Sequence, residues 1–96
     1  SGDAELVAEI VALFKTDTAR RLQILREALG QSDGAKLKEQ AHTIKGSAIQ
    51  VGAQSLAAIC QQIETQACTM PFPHLTELVR CAEANFDQLL AQIGAA

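Results

Sequence analysis

Apolar residues in this chain recur three and four positions apart almost from end to end. The recurrence is interrupted at three places: Gly30 to Gly34, Gly52, and Pro71 to Pro73. That spacing is the period of an α-helix, whereas a half-buried strand needs strict alternation. Leu6, Val7, Ile10, Val11 and Phe14 open the pattern, with Asp3 placed to cap a first helix. Lys15-Thr16-Asp17-Thr18 is a polar patch that either bends the chain or is passed straight through. Leu22, Leu25, Ala28 and Leu29 mark the next stripe, stopped by Gly30 and Ser32-Asp33-Gly34.

A third helix is expected from about Ala35 to Val51, with Leu37, Ala41, Ile44, Ala48 and Val51 inward and Gly52 as its left-handed terminator. A fourth starts near Ala53 and turns Leu56, Ile59, Cys60, Ile63 and Ala67 inward. Pro71 and Pro73 break the pattern in a short loop. Leu75, Leu78, Val79, Ala82, Phe86, Leu89, Leu90 and Ile93 define the last helix, expected to fray at Gly94. Short connections make neighbouring helices antiparallel. The expected fold is all-α: an up-down-up-down antiparallel four-helix bundle with an additional N-terminal helix.

The 96 residues form a single domain, 1–96, with Ser1-Gly2 set aside as a candidate cloning remnant. A net charge of −3 with no Lys/Arg run argues against nucleic acid. No apolar stretch approaches the ~20 residues that span a bilayer, and no signal-peptide pattern is present. Cys60, Cys68 and Cys81 are an odd set without C-x-x-C spacing, which fits reduced thiols and a cytoplasmic location.

On the third helix, His42 falls about 140° from the centre of the apolar stripe and should face outward. Ala35, Lys38, Lys45, Gly46 and Ile49 share its face. Lys45 puts an ammonium one turn beyond the ring, where it could neutralise a phosphoryl oxygen. Gly46 is unfavourable in mid-helix by roughly 1 kcal/mol relative to Ala, and it leaves room in front of the ring. Ile49 offers apolar surface for docking. Each has an ordinary reading too: a solvated charge, a packing glycine, a scattered apolar residue. A neutral imidazole nitrogen can attack phosphorus if the other ring nitrogen holds the proton. Glu64, on the next helix, is the candidate acceptor that would fix that tautomer; its ordinary reading is a surface carboxylate.

The segment Ala41-His42-Thr43-Ile44-Lys45-Gly46-Ser47-Ala48, continuing to Val51-Gly52-Ala53, resembles the signature of histidine-containing phosphotransfer (HPt) domains. The resemblance extends through Leu56, Cys60, Ile63 and Glu64. It implies a phosphorelay carrier in two-component signalling that is phosphorylated on His42 Nε2, with Lys45 near the phosphoryl group and Gly46 giving a partner clearance. It implies that Glu64 accepts a hydrogen bond from the ring, and a Glu there is also similar to the phosphotransfer domain of chemotaxis kinases. It further implies docking to receiver domains of response regulators or hybrid histidine kinases through the His face and the N-terminal helix. Ile10, Phe14, Ala35, Lys38 and Ile49 are the candidates, Phe14 being equally readable as core. Such a domain is a carrier rather than an enzyme and is expected to be a monomer without its own cofactor. Mg²⁺ and the acidic pocket would belong to the receiver.

Three rivals stand beside this. A histidine-kinase dimerisation domain usually has an acidic residue after its His and a Pro soon afterwards, but here Thr43 follows and no Pro precedes Pro71. A metal site could draw on Cys60, Cys68, His74, Cys81 and His42, yet their spacing matches no ligand knuckle; His74 reads as a cap of the last helix or a solvent-facing residue. A helical scaffold that keeps the motif without transferring is the third.

Overall fold

The computed structural model describes residues 2–95. They form four helices and, among the described residues, no strand: α1 (Gly2–Gly30), α2 (Gly34–Gln50), α3 (Gln54–Gln66) and α4 (Phe72–Ala95). α1 packs on α2 and α4, and α3 packs on the same two, so the helices ring one interior. The apolar stripes meet there. Leu25, Leu37, Ile44, Leu56, Ile63, Leu75 and Val79 are fully buried, each such side chain contributing about 1.5–3 kcal/mol of transfer free energy. No helix among the described residues is long and apolar enough to cross a membrane.

The separate N-terminal helix expected from the sequence is not present; its residues are the first half of α1. The polar patch at 15–18 contains neither Gly nor Pro. Asp17 accepts hydrogen bonds from Arg20 and Arg21, both at 2.8 Å, and these pairs across one turn support an unbroken helix. Asp3 lies inside the first turn rather than before it, where its charge suits the helix dipole. Of the Ser1-Gly2 pair, Ser1 lies outside the described residues and Gly2 opens α1. The first half of α1 stands clear of the core, leaving Leu6, Val7, Ile10 and Leu13 exposed; Phe14 is its first buried residue.

The connections into and out of α2 position the site. Both begin with the same C-terminal motif. At the end of α1, Asp33 N–H donates to the Ala28 carbonyl and Ser32 N–H to that of Leu29. At the end of α2, Ala53 N–H donates to Ala48 and Gly52 N–H to Ile49. The left-handed residue is Gly52 in the second case, as expected, but Ser32 (φ 54°) in the first. The glycine at 34 has a different cause. A Cβ there would fall 2.8 Å from the Ala67 carbonyl oxygen, so α2 approaches the end of α3 too closely for any side chain. Asp33 caps α2 by accepting from Lys36 N–H at 3.0 Å.

Pro73 is not in the loop. It is the second residue of α4, where a helix needs no N–H donor. His74 follows it and pairs through Nε2 with Gln66 Oε1 at 2.7 Å, joining α4 to the end of α3.

Candidate functional site

On α2 the inward positions Leu37, Ala41, Ile44 and Ala48 are fully buried. The helical period then turns His42 outward, and its side chain is 66% exposed. α3 returns alongside with a regular register. His42 faces Glu64 while Lys45, three residues on, faces Gln61, three residues back. The two helices are therefore antiparallel at the site.

His42 Nδ1 lies 2.7 Å from Glu64 Oε1. The other carboxylate oxygen, Oε2, accepts from Lys45 Nζ at 2.7 Å. The Lys45 ammonium bonded to Glu64 holds its carboxyl below the usual carboxylate range, against partial desolvation and with help from the His42 ring. An ionised carboxylate only accepts, so in the neutral ring Nδ1 carries the hydrogen and donates it. The lone pair then sits on Nε2, which has no hydrogen-bond partner among the described residues and points away from Glu64.

Lys45 is half-buried and committed to α3, donating to Gln61 Oε1 at 2.9 Å as well as to Glu64. Its ammonium is thus bonded on the Nδ1 side of the ring. Gly46 is exposed, and a Cβ added to it would meet nothing within 4 Å. Internal packing therefore gives no reason for a glycine there.

The open groove around the ring is lined by Ala35, Lys38, Glu39, Thr43, Glu64 and Cys68. Ala35 and Lys38, expected at a docking face, are thus beside His42. Ile10 lies elsewhere, in a groove between α1 and α2 shared with Leu13, Ser47, Gln50 and Val51. Ile49 is 62% exposed and lines neither groove. Phe14 is a core residue. It is 5% exposed and packs edge-on against Phe86, ring centres 6.1 Å apart.

Sequence reasoning missed Gln61, which accepts from Lys45, Thr65, which accepts from Gln61 Nε2, and Glu39, which lines the groove; it weighed Cys68 only as a metal ligand. A signal for Gln61 was available: it precedes Glu64 by the same three residues that separate His42 from Lys45, which is the match an antiparallel pair requires. Among the described residues, no three His, Cys, Asp or Glu side chains gather as a metal site. Cys60 is buried, Cys68 and Cys81 are exposed, and all three are free thiols.

A family model described as Hpt domain matches residues 9–96. The chain is also similar to the sensor protein TorS of Escherichia coli (strain K12), 30% identical over 82 residues. The match covers 83% of this chain and 9% of TorS, so the chain spans about a tenth of that relative's length. No solved structure matches.

Proposed function

The chain belongs to the Hpt domain family, and from that membership we propose that it is a phosphorelay carrier which takes a phosphoryl group on His42 Nε2 and exchanges it with receiver-domain aspartates. The observation that supports this best is the ring's polarity. Nδ1 is engaged by Glu64 at 2.7 Å while Nε2 is open on an exposed face.

In the proposed step, the Nε2 lone pair attacks the phosphorus of a receiver's aspartyl phosphate. A P–N bond forms, the P–O bond to the aspartate breaks, and that aspartate leaves as a carboxylate. The ring keeps its Nδ1 hydrogen and gains positive charge as the bond forms. Glu64, already hydrogen-bonded to that N–H, offsets the charge. The same groups serve the reverse transfer. The chain supplies a held nucleophile, whereas the receiver supplies Mg²⁺ and the acidic pocket around the in-line phosphoryl group. It is thus a carrier and not an enzyme. Gly46 gives the receiver clearance, and Ala35, Lys38, Ile49 and Ile10 offer it contact. The helices take an up-down-up-down course, and the carrier works as a cytoplasmic monomer.

The test is incubation with a phosphorylated receiver domain and Mg²⁺. The expected result is acid-labile, alkali-stable phosphate on this chain, absent in His42→Gln at unchanged helicity. Equal labelling of His42→Gln overturns the reading. No labelling of the unaltered chain by any receiver of the source genome leaves a helical scaffold in its place.

A further inference from the structure

Gln61 and Thr65 stand one turn apart on the exposed face of α3, on either side of Glu64. The Thr65 hydroxyl donates its single proton to the Gln61 backbone carbonyl at 2.9 Å. It is left as an acceptor for Gln61 Nε2, also at 2.9 Å. This fixes the polarity of the Gln61 amide: its N–H side is used on Thr65, so Oε1 turns to Lys45. The ammonium is then held at two points, Gln61 Oε1 at 2.9 Å and Glu64 Oε2 at 2.7 Å. Glu64 is left with Oε1 for the ring. Each link determines which way the next one faces, and the chain ends at the imidazole.

A lysine held at one point on a part-buried carboxylate at the protein surface still exchanges with water, because its four-carbon stem is flexible and its head strongly hydrated. A second acceptor on the same rigid helix restricts that exchange. We propose that Gln61 and Thr65 are positioning residues for His42: they pin Lys45 to one Glu64 oxygen, which orients the carboxylate so that its other oxygen holds the Nδ1–H tautomer. The remaining polar groups lining the groove, Lys38, Glu39 and Thr43 on α2 and Cys68 beyond α3, make no hydrogen bond to the ring among the described residues; the Thr43 hydroxyl is used on the Glu39 backbone carbonyl. The tautomer therefore depends on this one line of contacts. The inference deepens the carrier reading and rests on it for the effect on transfer, but its structural part is measurable without any receiver.

The experiment compares the unaltered chain with Gln61→Leu, Thr65→Val and Thr65→Ser, all at exposed positions where folding is checked by circular dichroism. Nitrogen-15 shifts of the His42 ring give the ratio of Nδ1–H to Nε2–H forms, carbon-13 shifts follow the Glu64 carboxyl, and rapid mixing gives the transfer rate at saturating receiver. In Gln61→Leu and Thr65→Val the ring should shift toward Nε2–H and the Glu64 titration should move up. Transfer should slow about three-fold without loss of receiver affinity, the low end of the net contribution of one hydrogen bond, as suits a group that acts on the ring only through Lys45 and Glu64. Thr65→Ser keeps the hydroxyl and should match the unaltered chain. An unchanged tautomer ratio and Glu64 titration in Gln61→Leu overturns the inference, as does a Thr65→Ser chain that behaves like Thr65→Val. Should the unaltered chain accept no phosphoryl group, the carrier reading falls alone, and the ring and carboxyl shifts still decide this one.

Discussion

Glu64 joins two cationic or proton-bearing partners of α2 at once, with His42 Nδ1 2.7 Å from one oxygen and Lys45 Nζ 2.7 Å from the other. Removing the carboxylate should therefore affect the ring more than the fold. Glu64→Ala is expected to slow phosphotransfer roughly ten-fold or more, a loss within the range of a charge-assisted hydrogen bond, while thermal unfolding moves little. Stopped-flow transfer and calorimetry on the same preparation check both halves; an unaltered rate would remove Glu64 from the mechanism.

Substitution at Gly46 should separate stability from activity. With open space around its Cα, a Gln there meets no internal obstacle and should raise helix stability by about 0.5–1 kcal/mol. The same side chain enters the space in front of His42, so transfer should fall chiefly through weaker receiver binding. Urea denaturation and a receiver-binding titration test the pair of effects. Greater stability with unchanged transfer would refute the clearance argument.

The three thiols should differ in reactivity. Burial, aided by the nearby Glu64 charge, pushes the Cys60 thiol up to about 12, and thiolate is the reactive form. Cys68 and Cys81 are exposed. A water-soluble alkylating reagent at neutral pH should modify two thiols in the native protein and all three in denaturant, as counted by mass spectrometry.

Acid should weaken the fold through three carboxylates. Arg21 and Arg20 hold Asp17 below its usual range, Lys45 and His42 hold Glu64, and Arg26 holds Glu83. A depressed folded-state value contributes stability that is complete above the unfolded-state value and lost as pH falls through the folded one. Stability should thus be level down to the ordinary carboxylate range of about 4 and decline below it. The decline should be modest, because all three pairs are partly solvated. Denaturant midpoints between pH 2 and 6 measure it. A decline complete above pH 5 would contradict the assignment.

Much of this was legible from spacing. The stripe from Leu37 to Ala48 set the inward face of α2, and with it the outward direction of His42. Gly52 and the break before Leu75 fixed two connections to within a few residues. What escaped was determined by contacts at longer range or by side-chain direction. The patch at 15–18 reads equally well as a bend until Asp17 is seen gripping Arg20 and Arg21. Pro73 reads as loop because its tolerance inside a first turn depends on where the turn begins. Periodicity alone leaves Phe14 on the boundary between surface and core; Phe86, far along the chain, decides it. Lys45 shows its reach only once Gln61 and Glu64 stand opposite.

Gly34 contains no reactive atom and lies two turns from His42 on the same rod, about 12 Å along its axis. Yet the backbone of Ala67 leaves it no room for a methyl group. A larger residue there would act as a wedge at one end of a lever, prying α2 from α3 and loosening the grip of Glu64 on the ring. The orientation of the imidazole is thereby entrusted to a position that never touches it.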